Sequence, residues 1–413
     1  MKRPTKIAIL SFSVLVLGYV GLGRVLGKGS DEKAYRSLIV YGEVLQRIQQ
    51  DYVDEPNLPM VTAGALHGLL ESLDPQSSYL TPREYAEYAQ KVRSGKAGDI
   101  GVTLSKRYGY IVVVSVLPDS TAQKMGIRSG DIFEAIAGFA TRDMSVGQAM
   151  NLLLGDPGTA VKVSVVRRGR TEPLELDVLR AKLGPQKIVS EKIEPDILVL
   201  RLPTLESGRA DEVRERLLQA GRQGIHKVVL DVRDCGRGEV SEAVSLAREF
   251  LASGTIITLR GQTVPAETFS ADPAKVVWKN PVSVLISPTT SGAAEILAAA
   301  MAANHRGDVV GERTFGFASE QKLIPLDDGG AIILTAANYF ANGSAKSILE
   351  EGVAPTVAVQ VSAGEESGGA DDNAGLTAPP AEIPAGPPPL SLQDPVLRKA
   401  VDLLNAPAQK ASG

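Results

Sequence analysis

Residues 281–301, PVSVLISPTTSGAAEILAAAM, predict a strand, a tight turn and a helix in succession. The run from Val282 to Ile286 is continuously apolar, which is typical of a buried strand. Small and polar residues follow, and the chain from Ser291 onward has the apolar spacing of a helix. Many hydrolases place a nucleophile on such a turn, so Ser291 is a candidate nucleophile. Alternatively, its oxygen caps the helix.

The segments around this stretch repeat the same alternation. HKVVLDVRD at 226–234 and GDVVG at 307–311 predict two further strands, and EVSEAVSLAREFL at 239–251 predicts an amphipathic helix. Strands that alternate with helices favour a sheet with parallel pairing. Residues 181–362 are therefore predicted to form an α/β core.

Residues 98–180 have a different texture, with short β-rich runs separated by Gly, Pro and Asp turns and one helix near 145–154. GDIGVTL at 98–104, STAQKMGIRSGDIFEAIAG at 120–138 and GTAVKVSVVR at 158–167 resemble a PDZ domain. The resemblance implies a groove that adds the C-terminal tail of another protein as an extra strand. The alternative is a packing module with a blocked groove. The implied peptide-binding residues are Ile100, Gly101, Val102, Thr103, Leu104, Leu152 and Leu153.

The N-terminal segment, residues 1–29, predicts a membrane anchor or a signal segment. Lys2, Arg3 and Lys6 precede an uncharged stretch at 7–23, and Arg24 follows it. The stretch is at the short limit for a membrane span, and its basic flank predicts a cytoplasmic N-terminus with an exported body. A retained anchor is preferred because no convincing cleavage site is visible, and a removed signal peptide is the alternative.

The remaining segments predict a helical region, a linker and a last helix. Residues 30–97 have amphipathic spacing, and Thr81 with Glu84 forms a capping-box pattern around Pro82. Residues 363–392 are rich in Gly, Pro, Ala and acidic residues and predict a disordered linker. Residues 393–405 predict a short amphipathic helix that docks back on the body.

Composition excludes several functional classes. The 413-residue chain has a net charge of −4 and a pI near 5.7, which gives no electrostatic reason to expect nucleic-acid binding. Its three histidines and single cysteine, Cys235, have no spacing typical of a metal site. No metal and no cofactor are expected, and Cys235 is expected to pack as a small apolar residue.

The order of anchor, helical region, PDZ-like module and α/β core resembles the carboxyl-terminal processing peptidases, also called tail-specific proteases. GLLESLDPQSSYLTPREY at 68–85, AEILAAAM at 294–301 and VVGERTFG at 309–316 carry the likeness. The resemblance implies serine-type endopeptidase activity through a serine–lysine dyad. The lysine must be unprotonated to accept the serine proton, and backbone N–H groups stabilise the oxyanion.

The dyad positions of this chain carry other residue types. The family serine motif, S-A-S-A-S-E-I, aligns Glu295 with its glutamate and Gly292 with the nucleophile. The lysine motif, T-F-G-K-G-x-x-Q, puts Phe317 at the lysine and retains Gln321. The oxyanion turn lacks its Pro-Gly-Gly, although Gly236 and Gly238 remain as backbone donors. Ala302-Ala303 stands where Gln-Asp is often found.

These departures predict a pseudopeptidase of the cell envelope, held in the inner membrane with its body in the periplasm or outside. It would bind C-terminal tails and act as an adaptor or regulator, with an active relative or a second copy of itself as a further partner. The alternative is an active peptidase with a displaced nucleophile such as Ser291. The nearby groups offer it no clear base. The sequence does not show which way the Lys322 side chain points, and His305 lies at the far end of the helix. Glu295 and Glu320 are carboxylates, whose unperturbed pKa near 4 is too low for one of them to deprotonate a serine readily. A structural protein with a blocked groove is the third hypothesis.

Overall fold

The computed structural model describes residues 31–95, 97–360 and 390–406. The chain divides into two compact units, residues 1–65 and 66–413. The predicted membrane segment at 7–23 and most of the predicted linker lie outside the described residues. Within those residues, no helix has both the length and the apolar character that a membrane crossing requires.

The described residues form ten α-helices, one 3₁₀ helix at Pro273–Lys275 and seventeen strands. The helices are α1 Asp31–Asp51, α2 Leu58–Glu71, α3 Pro82–Ser94, α4 Thr121–Lys124, α5 Val146–Leu153, α6 Arg209–Arg222, α7 Val240–Arg248, α8 Ala293–Ala303, α9 Ile348–Glu351 and α10 Pro395–Asn405. The strands are β1 Ser78–Leu80, β2 Val102–Arg107, β3 Tyr110–Val116, β4 Ile132–Ile136, β5 Phe139–Ala140, β6 Ala160–Val166, β7 Leu174–Leu179, β8 Val189–Glu194, β9 Ile197–Arg201, β10 Lys227–Asp231, β11 Thr255–Arg260, β12 Glu267–Ser270, β13 Val282–Ile286, β14 Asp308–Gly311, β15 Ser319–Pro325, β16 Ala331–Phe340 and β17 Val357–Ala358.

A six-stranded sheet with order β17-β14-β13-β10-β9-β8 forms the α/β core. Its strands pair in parallel except β8, which is antiparallel to β9. Alternate residues of each strand face opposite sides of the sheet. One side packs against α6, α7 and α8, and the other packs against α10. The predicted α/β core and the docked last helix are both present in the structure.

A buried ion-pair network fixes α10 to the end of β10. Asp231 accepts hydrogen bonds of 2.8 Å from Arg201 Nε and from Arg233 Nε and Nη2. Arg233 Nη1 lies 2.6 Å from Asp394 Oδ2, and Asp394 caps the first turn of α10. Burial alone would raise the pKa of Asp231, but the two guanidinium groups lower it below its ordinary value.

A second sheet, with order β1-β16-β11-β12 and with β15 also paired to β16, was not anticipated. Its strands are antiparallel. Strand β1 comes from the segment predicted as helical, and Ser78 pairs with Ile333 of β16. The prediction of a helical region at 30–97, with a turn before Pro82, therefore missed this strand at residues 78–80. A three-residue strand is too short for hydrophobic periodicity to reveal it.

The β-rich module, residues 98–181, is an antiparallel sheet with order β2-β3-β4-β6-β7, and β5 pairs with β4. Helix α5 begins after Ser145, whose side chain forms a capping box with Gln148. The one-turn helix α4 is an additional element that the sequence did not predict. The module has its own apolar core, built around Ile111, Phe133 and Val163.

Candidate functional site

A cavity of about 340 Å³ opens where the loops after β10 and β13 meet. Loops at the carboxyl ends of parallel strands are the usual place for a ligand site in this architecture. The cavity is lined by Gln76, Gly236, Arg237, Gly238, Val240, Gly292, Ala293, Ile296, Phe317, Ala318, Ser319, Gln321 and Tyr339. The structure therefore brings Gly236, Gly238, Gly292, Phe317 and Gln321 together, as the aligned motifs predict.

Gly292, which the sequence motif aligns with the family nucleophile, lies at the N-cap of α8 with φ of 64° and ψ of −126°. A Cβ atom built on Gly292 would meet no other heavy atom within 4 Å, so the position opens into free space. Residues other than glycine rarely adopt this conformation. The backbone keeps the strained turn on which nucleophiles are typically found, but no side chain projects from it.

Glu295 is a fully buried carboxylate that accepts hydrogen bonds from the backbone around the cavity. Its Oε1 accepts from Thr314 Oγ1 and Gly316 N, each at 2.6 Å. Its Oε2 accepts from the backbone N–H groups of Gly292, Phe317 and Ala318 at 2.9, 2.7 and 3.1 Å. Burial raises the pKa of Glu295, and these hydrogen bonds oppose the shift. Through these hydrogen bonds the carboxylate holds the backbone at Gly292 and Phe317, the two residues that the sequence motifs align with the dyad.

Phe317 has no amine, and its half-buried side chain lines the cavity. Its ring lies 6.2 Å from that of Phe315, and the Arg107 guanidinium stacks 4.2 Å above the Phe315 ring. The Phe317 carbonyl accepts a hydrogen bond from Gln76 Nε2 at 3.0 Å. Lys322, the nearest lysine in sequence, is exposed on β15 and is absent from the cavity lining.

Ser291 is neither a helix cap nor a part of the cavity, so the prediction that its oxygen caps the helix is wrong. The N-cap is Gly292, and the Glu295 side chain supplies the capping contact. Ser291 is only 1% exposed, and its hydroxyl has no hydrogen-bond partner among the described residues. A Cβ on Gly236 would lie 3.1 Å from Ser291 Oγ and would clash with Ser115 of the β-rich module. The hydroxyl is therefore enclosed beside Gly236, with no base next to it.

Two hydroxyl groups that sequence reasoning missed do line the cavity, on Ser319 and Tyr339. Ser319 Oγ donates to Gln76 Oε1 at 3.0 Å, and Gln321 Nε2 donates to the same oxygen at 3.0 Å. Tyr339 Oη donates to Glu320 at 3.1 Å, and burial together with Glu320 raises the pKa of Tyr339. Neither hydroxyl faces an amine, so neither completes a dyad. Only the position of Ser319, two residues after Phe317, could have indicated its involvement.

The loop after β10 lines the cavity with Gly236, Arg237 and Gly238. The N–H groups of Gly236 and Gly238 have no acceptor among the described residues. Cys235, just before them, is fully buried, and burial raises the pKa of its thiol to about 12. This thiol stays protonated and does not act as a nucleophile. No group of His, Cys, Asp and Glu side chains in the described ranges is arranged to hold a metal ion.

Most of the predicted peptide-binding side chains point into the β-rich module. Ile100, Val102, Leu104 and Leu153 are buried in its core, and Gly101 is buried in the loop before β2. Leu152 is only partly buried. Thr103 points the other way, and its Oγ1 donates to the Gly236 carbonyl at 3.3 Å. One face of β2 therefore contacts the loop that lines the cavity.

Residues 196–359 match the model of peptidase family S41. A carboxy-terminal-processing protease of Bartonella bacilliformis is 28% identical over 359 residues, covering 85% of this chain and 80% of the relative. The carboxy-terminal processing protease CtpA of Bacillus subtilis is 26% identical, covering 87% and 78%. The fold is similar to that of the photosystem II D1 C-terminal processing protease, with a TM-score of 0.64, 24% identity and coverage of 78% and 92%.

The matched range contains every lining residue of the cavity except Gln76, and it also contains Glu295. The relatives extend the similarity over most of the chain. Residues 196–359 therefore form a peptidase family S41 domain, and the chain resembles the carboxyl-terminal processing peptidases over most of its length.

Proposed function

We propose that the protein is a pseudopeptidase that binds the C-terminal tails of polypeptides without cleaving them. One observation carries this proposal: Gly236, Gly238, Gly292 and Phe317 line one cavity and Glu295 holds its backbone, yet Gly292 and Phe317 supply neither a nucleophile nor a base. Peptide hydrolysis by a dyad needs an attacking oxygen within hydrogen-bond reach of a proton acceptor. Of the two hydroxyl groups in the cavity lining, that of Ser319 donates to an amide oxygen, which is not a base. That of Tyr339 donates to the Glu320 carboxylate, but burial and Glu320 raise the pKa of Tyr339 and so oppose its ionisation.

The β-rich module supplies the tail-binding part of this proposal. It resembles a PDZ domain in sequence, and β3 is the only strand that pairs with β2 within the described residues. An extended tail could therefore add to the open edge of β2. Because β2 also contacts the loop at Gly236, such a tail would end beside the cavity.

The cellular role follows as part of the same proposal. In residues 2–24, an uncharged stretch lies between basic residues. This pattern supports attachment to the inner membrane, with the body in the periplasm or outside. There the protein would hold tails as an adaptor, or regulate an active relative by competing for the same tails. An active peptidase is the alternative favoured by the names of the relatives, but the enclosed position of Ser291 argues against a displaced dyad.

The experiment is a titration of the full chain with an unstructured polypeptide that ends in apolar residues. We expect saturable binding by calorimetry and recovery of the polypeptide at its original mass. The Leu152→Asp variant, which puts a charge on the partly buried face of α5, should weaken binding, whereas Leu218→Asp on the exposed face of α6 should not. Absence of binding would refute the tail-binding role, and shortened polypeptide would refute the pseudopeptidase.

A further inference from the structure

Arg237 links the loop after β10 to the beginning of β2. Its Nη2 lies 2.7 Å from Asp99 Oδ2 and donates to the Val102 carbonyl at 2.8 Å. The side chain is 27% exposed, and the residue lines the cavity. In the aligned motif, Arg237 occupies a glycine position of the oxyanion turn. The α/β core thus presents a cation where its loop after β10 contacts the β-rich module.

The Val102 carbonyl lies on the open edge of β2. The Leu117 N–H donates to the Gly101 carbonyl at 2.8 Å, so the Gly101 carbonyl points toward the β3 side. Successive residues of an antiparallel strand point their N–H and C=O groups to opposite sides. The Val102 carbonyl therefore points away from β3. Arg237 donates to the group that a strand added to this edge would meet.

The direction of an added strand brings its last residue to Arg237. A strand that pairs antiparallel with β2 runs toward the beginning of β2. Its free carboxylate would then lie near Asp99, Gly101 and Val102. Both contacts of Arg237 use Nη2, and its Nε and Nη1 have no acceptor in the described part of the chain. These guanidinium donors are available to an anion.

We infer that Arg237 recognises the terminal carboxylate of the bound tail, an inference that rests on the proposed tail-binding function. The carboxylate would accept from the unused guanidinium donors while Nη2 stays on Asp99. Hydrogen bonds to charged groups are stronger than those between neutral groups. Tails with a free carboxylate are therefore selected over internal segments of a polypeptide, and the α/β core, not only the β-rich module, determines this selection.

The test compares two forms of one twelve-residue peptide with an apolar end, one with a free carboxylate and one with a C-terminal amide. The full chain should bind the acid at least about tenfold more tightly than the amide. Arg237→Gln should reduce this preference to less than about threefold. The control Arg142→Gln, which changes an exposed arginine of the β-rich module, should keep the full preference.

A second variant tests the charge next to the subsite. Asp99 holds a negative charge against Arg237, while its Oδ1 accepts from Gly101 N at 3.1 Å. Asp99→Asn can keep the second contact but removes the charge, so it should increase the preference for the acid. Thermal unfolding of each variant verifies that the module remains folded.

The outcomes separate the two proposals. Equal binding of acid and amide by the unmodified chain, or an undiminished preference in Arg237→Gln, would overturn the role of Arg237 and leave tail binding intact. Binding of neither peptide would overturn tail binding itself, and with it the inference about Arg237. A reduced preference in Asp99→Asn would also contradict the inference.

Discussion

The two sides of the cavity differ sharply, although the backbone of the same residues borders both of them. Behind the cavity, Glu295 satisfies five donors and is fully buried. On the side that faces the cavity, Gly292 has no side chain and Phe317 presents an aromatic ring. The supporting side, at Glu295, is fully hydrogen-bonded, whereas the reactive side, at Gly292 and Phe317, carries neither a hydroxyl nor an amine. The comparison indicates that the hydrogen bonds to Glu295, and not side chains at these two positions, hold the loops around the cavity.

Replacement of Glu295 should give the largest effect. Glu295→Ala leaves the Thr314 hydroxyl and four backbone N–H groups without their acceptor, so we expect a loss of about 3–5 kcal/mol in the free energy of unfolding. Urea denaturation measures it. Glu191→Ala, a change at an exposed glutamate of β8, should stay within about 0.5 kcal/mol. A loss of similar size in both variants would erase the distinction between the two sides.

A pH series tests the second buried carboxylate of the support, Asp231. Its pKa is lowered in the folded state, so its contribution is present above the ordinary value of 3.8 and is lost as the pH falls through the lowered value. The Asp231→Asn variant should therefore be less stable than the unmodified chain at pH 7. The difference between their free energies of unfolding, the gap, should narrow below pH 3.8. A gap that widens on acidification would contradict the ion-pair assignment.

Phe317 should matter less, because it faces the cavity. Phe317→Ala removes a half-buried ring, and we expect a loss of about 1–2 kcal/mol, measured by the same denaturation. Phe250→Ala, at a fully buried ring of the core, should cost about 3–5 kcal/mol and serves as the reference for a tightly packed site. Equal losses would mean that Phe317 is itself a support residue.

The smallest effect is expected at Ser291. Its buried hydroxyl has no partner among the described residues, so Ser291→Ala loses no hydrogen bond there. The free energy of unfolding should stay unchanged or rise by up to about 1 kcal/mol. Thr290→Val is the matched comparison, because the Thr290 hydroxyl donates to the Val232 carbonyl at 2.9 Å and its removal should destabilise the protein. A large loss in Ser291→Ala would show that its hydroxyl is engaged.

The sequence predicted the reactive side better than the support. Gly292, Phe317 and Gln321 were located by motif spacing, and the strands at 227–231 and 282–286 by their apolar runs. The antiparallel sheet was missed because β1 is three residues long and β15 is almost entirely exposed. Contacts across the chain, such as Gln76 with Ser319 and Arg237 with Asp99, leave no periodic signal. The capping assignment of Ser291 failed because Glu295 supplies the cap from within the helix.

The most direct test of the account measures hydrolysis. The full chain is incubated with an unstructured polypeptide that ends in apolar residues, beside a carboxy-terminal processing protease as positive control, and fragments are quantified by mass spectrometry. The account predicts no fragments above the buffer blank. Hydrolysis that disappears in Ser291→Ala or Ser319→Ala would contradict it, because an active hydroxyl would then exist where the structure provides no base.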